Sequence, residues 1–246
     1  MKKISVALTV WLCTSAWAAD LTISAAASLT QAFQDMGSQF EAQNPDIKIK
    51  FNFAASGALL QQIVNGAPVD VLATADTDTM DKAIAKGVVK AADSKVFTTN
   101  RLVVVTPAKA DLSLKKLADL KKPSVKRFAM GVPASVPAGH YAQEALDKEG
   151  LWTELKDKII STQNVRQALD YVARHEVDAG FVYASDALLM NEKVKVAFQV
   201  ATISPIQYPI AKIASSTQAS EAQKFIAYVQ SAPGQAILKK HGFTAL

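Results

Sequence analysis

The chain has 246 residues, half of them hydrophobic, with a formal net charge of +5 and one cysteine. A chain of this length and apolar content buries a substantial core, as one large domain or two smaller ones. Its lysines are scattered, as in Lys115-Lys116 and Lys121-Lys122, without the one-sided clustering of nucleic-acid binders, so they read as solvated surface.

The chain opens with Met1-Lys2-Lys3, an apolar run from Ile4 to about Cys13, and Ala16-Trp17-Ala18. This is the pattern of a secretory signal peptide over residues 1–18, cleaved after Ala18 or Ala19 and too short to span a membrane. Cys13 follows bulky Leu12 and comes too early for lipid attachment. Cleavage removes this sole cysteine, so the mature chain forms no disulfide, and the loss of Lys2 and Lys3 lowers the charge to +3. No later apolar run is long enough to cross a membrane. These features predict a soluble, exported, periplasmic protein.

In chain order, Leu21-Thr-Ile-Ser-Ala-Ala-Ala-Ser28 reads as a strand entering a tight loop. Leu29, Ala32, Phe33, Met36 and Phe40 lie on one face of the helix beyond. Ser28 and Gln31 have capping-box spacing, which predicts that Ser28 caps that helix. Ile47, Ile49, Phe51 and Phe53 alternate with polar residues as a strand, and Ala54-Ala55-Ser56-Gly57 leads into a helix carrying Leu59, Leu60 and Ile63. After Gly66-Ala-Pro comes a short strand, Val69–Ala73. Asp76, Asp78 and Asp81 lack the glycine and terminal glutamate of a calcium loop, so Asp78 is expected to cap the helix of Met80 and Ile84.

Arg101–Pro107 is nearly continuous in apolar residues, the mark of a strand buried on both faces. Phe128-Ala-Met-Gly131 leads into Val132-Pro-Ala-Ser-Val-Pro137-Ala138-Gly139, and Tyr141, Ala142, Ala145 and Leu146 continue as a helix. Ile159-Ile160 suggests another strand, with Asn164 capping a helix through Val165, Ala168, Leu169 and Val172. Phe181-Val-Tyr183 ends a strand before Ala184-Ser-Asp186. Val194–Phe198 and Tyr208–Ile213 follow, then two amphipathic helices, the second ended by Gly242. Strands alternating with helices predict an α/β fold of mostly parallel sheets, with ligands bound beyond the carboxyl ends of strands where helices begin.

Five such joints, at Ser28, Ser56, Ala138, Val165 and Tyr183, offer two serine hydroxyls, a phenol and backbone N–H groups at helix starts. Arg166 is the only cation near them in sequence. Neutral donors at helix N-termini suit a small, fully deprotonated oxyanion.

Ala25-Ala-Ala-Ser28-Leu-Thr, Phe53-Ala-Ala-Ser56, Gly66-Ala-Pro-Val-Asp70, Val136-Pro-Ala-Gly139-His-Tyr141-Ala, Asn164-Val165-Arg and Val182-Tyr183-Ala-Ser-Asp186 occur in that order. Together, across essentially the whole mature chain, they closely resemble the periplasmic molybdate-binding proteins of bacterial ABC importers. The resemblance implies a two-lobed type II periplasmic-binding-protein fold, with lobe I formed by 20–102 and 206–246 and lobe II by 103–205. It implies a molybdate or tungstate ligand held by Ser28 and Ser56 through hydroxyl and N–H, by the N–H groups of Ala138 and Val165, and by the Tyr183 hydroxyl. Molybdenum enters only as that oxyanion. No cofactor, nucleic-acid partner or membrane insertion is implied, and the expected state is a monomer that delivers its ligand to a membrane permease. Ala55-Ser56-Gly57 departs from the family's frequent run of serines, and Val132-Pro-Ala-Ser from its more acidic loop.

The alternatives are a binding protein for another oxyanion such as sulfate, and an exported hydrolase. The second lacks a Gly-x-Ser-x-Gly elbow, and His140, His175 and His241 are scattered. His140, beside a ligand loop, is the best catalytic candidate and reads more simply as a solvated helix residue.

Overall fold

The computed structural model describes residues 19–244; the segment 1–18 that the sequence reads as a signal peptide lies outside them. The first half runs β1 (Ala19–Ala26), α1 (Thr30–Gln43), β2 (Ile47–Ala54), α2 (Ser56–Val64), β3 (Val71–Ala73), α3 (Thr77–Ala85) and β4 (Lys95–Asn100). The chain then builds β5 (Leu102–Pro107), β6 (Phe128–Gly131), α4 (Pro137–Lys148), α5 (Trp152–Leu155), β7 (Ile159–Thr162), α6 (Val165–Ala173), β8 (Ala179–Tyr183), α7 (Ala184–Leu189) and β9 (Val194–Gln199). It returns through β10 (Ile206–Lys212) to α8 (Ala219–Gln230) and α9 (Ala232–Lys240).

Two five-stranded sheets result, ordered β2-β1-β3-β10-β4 and β7-β6-β8-β5-β9. In each, four strands point one way. The reversed strand, β10 or β5, is the first one laid down after the chain crosses from the other sheet. The mostly parallel reading therefore holds, and the crossings are where it fails. All six residues of β5 are buried, as its apolar run predicts. The strand β4 carries no clear pattern in the sequence, because only Val96 and Phe97 are apolar. It is held as an edge beside β10, with Phe97 packed tilted against Phe33 at 5.9 Å between ring centroids.

Asp70 of the Gly-Ala-Pro-Val-Asp motif is structural. Its Oδ2 accepts from Thr22 N–H at 2.8 Å and its Oδ1 from the Ser216 hydroxyl at 2.7 Å, pinning the loop before β3 to β1. At the start of α3 the expectation of an Asp78 cap is corrected. The cap is Asp76, whose extended backbone aims Oδ1 at Thr79 N–H at 3.2 Å, while Asp78 falls in the first turn. Asn164 caps α6 as expected, accepting from Gln167 N–H at 3.0 Å.

Candidate functional site

The loops at the carboxyl ends of β1, β2, β6, β7 and β8 face one another between the two sheets. Ser28, Ser56, Ala138, Val165 and Tyr183 all line a single small cavity between them. Among the described residues no charged side chain lines it. Ala26, Ala27, Ala54, Ala55 and Ala75 make up much of the wall, so backbone N–H groups come close to whatever sits inside.

Each donor is placed by its own local structure. Ser56 is the first residue of α2, with extended Ala55 as the cap. Ala138 is the second residue of α4, after Pro137, and Val165 the first of α6. Backbone N–H groups in these positions have no intrahelical acceptor and sit at the positive end of the helix dipole. Gly139 lets α4 approach closely, since a Cβ there would lie 2.0 Å from the Gly131 carbonyl oxygen. Gly139→Ala should therefore cost about 1–3 kcal/mol by overpacking and lower the melting temperature by several degrees. A thermal melt checks it; an unchanged midpoint would mean that α4 has room to shift.

The structure corrects the reading of Ser28 as a helix cap. A 3₁₀ turn, Ala27–Leu29, intervenes before α1, and neither it nor α1 has a side-chain cap. The Ser28 hydroxyl, 2% exposed as a residue, instead meets Tyr208 Oη at 3.0 Å. Ser56 Oγ accepts from Ala75 N–H at 3.0 Å, which leaves its own hydrogen free for the cavity. The recorded partners of the two serines are thus a phenol and an amide. His140 lies on α4 near Asp78 and Glu144, at 3.7 and 3.4 Å.

Tyr183 ends β8 with 1% exposure, and its hydroxyl has no hydrogen-bond partner among the described residues. Burial, with Tyr208 beside it, pushes its pKa well above the usual phenol value, so it remains a protonated donor. An orphaned buried hydroxyl aimed at a cavity is a group awaiting an acceptor.

Arg166 follows Val165 but points away from this cavity. Its Nη2 donates to the Ser28 carbonyl at 2.9 Å, and its Nε lies 2.8 Å from Oδ1 of fully buried Asp186, an ion pair off line for a hydrogen bond. Asp186 Oδ2 accepts from Tyr183 N–H at 3.1 Å. Arg166 is thus paired with a carboxylate and ties three of the candidate ligand loops together. Gly57 N–H adds a second tie across the cleft, donating to the Ser135 carbonyl at 3.1 Å; a Cβ at Gly57 would lie 2.9 Å from that oxygen. The glycine that replaces the family's frequent serine therefore allows this close approach. Tyr208 and Asn100 escaped the sequence reading as site residues, since nothing local marks them, while Asp186 stood in the Val182–Asp186 motif without a role assigned to it.

Residues 21–244 match the family described as bacterial extracellular solute-binding protein. The chain is 38% identical over 227 residues to YvgL of Bacillus subtilis (strain 168), named as an ABC transporter substrate-binding lipoprotein, covering 92% of this chain and 86% of that one. It is 36% identical over 230 residues to the molybdate-binding protein ModA of Escherichia coli (strain K12), covering 91% and 88%. Among solved structures, the Azotobacter vinelandii periplasmic molybdate-binding protein shares the fold with a TM-score of 0.82 at 22% identity, covering 92% of this chain and 99% of that one. The chain belongs to the bacterial extracellular solute-binding protein family.

Proposed function

We propose that the protein captures molybdate, and tungstate equally, in the periplasm and delivers it to the membrane permease of an ABC importer. It is exported by its N-terminal segment and acts as a monomer. Each sheet with its helices forms one lobe, the first from 20–102 and 206–246 and the second from 103–205, and the lobes close on the ion by hinge motion. Ser28, Ser56, Ala138, Val165 and Tyr183 are the ligands.

One observation carries this reading. An uncharged cavity collects helix-start N–H groups, two serine hydroxyls and an unpartnered buried phenol. Such a site offers donors from every side and holds a dianion without a countercharge. The names of the relatives support the choice of molybdate.

The chemistry also ranks the anions. Molybdate, tungstate and sulfate are proton-free dianions near neutral pH, whereas phosphate keeps at least one proton and that proton needs an acceptor. The cavity is lined by donors and by Asn164, whose Oδ1 is already taken by the Gln167 N–H, so the proton is left unmatched, and an unmatched buried polar group costs several kcal/mol. Sulfate suffers only from its smaller size, because fixed donors do not all reach it. Calorimetry with the four anions should give molybdate about equal to tungstate, then sulfate, then phosphate. Tighter binding of phosphate than of molybdate would overturn the reading.

A further inference from the structure

Behind Ser28 lies a buried polar chain whose two key members, Asn100 and Tyr208, lie outside the ligand loops. Asn100, 7% exposed at the end of β4, accepts from Arg101 N–H on its Oδ1 at 2.9 Å. A backbone N–H only donates, so this contact fixes which side of the Asn100 amide is oxygen. Its Nδ2 then donates to Ser185 Oγ at 2.9 Å and to Tyr208 Oη at 3.3 Å. Tyr208 is fully buried, and among the described residues the one remaining partner of its hydroxyl is Ser28 Oγ at 3.0 Å. Having accepted from Asn100, Tyr208 must give its hydrogen to Ser28, or that hydrogen is orphaned in the core. Ser28, having accepted from Tyr208, has its own hydrogen free to point into the cavity.

We propose that Asn100 and Tyr208 are specificity-determining positioning residues that, acting through Ser28, fix its hydroxyl as a donor to the cavity and so bar anions that carry a proton. This rests on the proposed oxyanion function. The direction of the chain starts at an amide and ends at the ligand, so a change of polarity at Asn100 propagates through two hydroxyls to the anion.

Asn100→Asp provides that change at nearly constant shape. The new carboxylate still accepts from Arg101 N–H and, in its ionised form, has no hydrogen to give. Tyr208 then donates backward to it, Ser28 donates to Tyr208, and a Ser28 lone pair faces the cavity. The added charge weakens all dianions together, so the informative quantity is the ratio of hydrogen phosphate to sulfate affinity at pH about 8, where both anions are mainly dianions of similar size. One gained acceptor in place of a donor should raise this ratio about tenfold or more. Adding Tyr208→Phe cuts the chain and should abolish the gain. The ring itself stays packed edge-on to Phe97, Tyr183 and Phe243, with centroids 6.4, 5.8 and 5.5 Å away.

The measurement is competition calorimetry with inorganic phosphate, sulfate and molybdate on folded variants. An unchanged ratio in Asn100→Asp, or an equal gain when Tyr208 is already phenylalanine, overturns the proposal. Should Asn100→Asp not fold, Tyr208→Phe alone decides. Without the fixed direction at Ser28, molybdate affinity should drop about tenfold, and unchanged affinity would sink the idea. Failure of the wild-type protein to bind molybdate would instead count against the proposed function, a separate readout from the phosphate to sulfate ratio.

Discussion

Tyr183→Phe is expected to lower molybdate affinity by about one to two decades while leaving the melting temperature of the ligand-free protein unchanged or higher. A hydrogen bond to a charged ligand is worth about 1.5–3 kcal/mol, which sets the size of the loss. The lack of a folding penalty follows from the geometry. The Tyr183 hydroxyl is buried without a partner among the described residues, so its removal breaks no bond and relieves an unsatisfied group. The ring remains, tilted 65° against Tyr208. The two serines should behave differently. Ser28→Ala takes away the acceptor of the Tyr208 hydroxyl, and Ser56→Ala the acceptor of Ala75 N–H. Each exposes a buried donor to a cost of about 1–3 kcal/mol in the fold as well as weakening binding. Calorimetry paired with thermal melts distinguishes the cases. A Tyr183→Phe protein that melts well below wild type yet binds molybdate normally would show the hydroxyl to be structural.

The sequence makes the joints legible because their chemistry is local. Small residues after an alternating or apolar run, then a residue that starts a helix, mark where β1, β2, β6, β7 and β8 end, and all five proposed ligands lie there. Asn164 declares itself as a cap through Gln167 three positions on. The same spacing misleads at Ser28 and Gln31, because a 3₁₀ turn separates the serine from α1 and Tyr208 claims its hydroxyl instead. Asp76 and Asp78 are equally good cap residues by type. Only the extended backbone at Asp76 decides between them, and that is set by how β3 meets α3. Nothing in the stretch around Asn100 hints at its role, since its contacts with Ser185 and Tyr208 span 85 and 108 positions. Long-range polar contacts of this kind arise from the way the chain crosses between sheets, and no periodic pattern encodes them.

Arg166→Leu should cost the fold about 3–5 kcal/mol, the range for stripping one partner from a buried ion pair, and lower the melting temperature by roughly 6–20 °C. The reason is the residue left behind. Asp186 is 0% exposed and faces Arg166 Nε at 2.8 Å. Burial already raises its pKa above the ordinary carboxylate value, while Arg166 and the Tyr183 N–H pull it down. Without the guanidinium the folded-state pKa climbs further, because the neutral acid is the form an unpaired site prefers. The sign of the pH dependence follows. Below the unfolded-state pKa of about 4 the acid is protonated in both states, and the variant comes closest to wild type. Between that value and the raised folded pKa the unfolded chain has released a proton that the folded chain retains, so stability falls as pH rises. Melts of Arg166→Leu and wild type from acid to neutral pH should therefore diverge as pH increases. Adding Asp186→Asn removes the stranded charge and keeps a side-chain oxygen for the Tyr183 N–H, so the double variant should regain most of the loss. If it melts no higher than Arg166→Leu alone, the stranded carboxylate is not the cause. The refolded double variant still lacks the bridge from Nη2 to the Ser28 carbonyl. It should release molybdate faster than wild type in stopped-flow measurements, since that bridge ties α6 to the β1 loop between the two sheets.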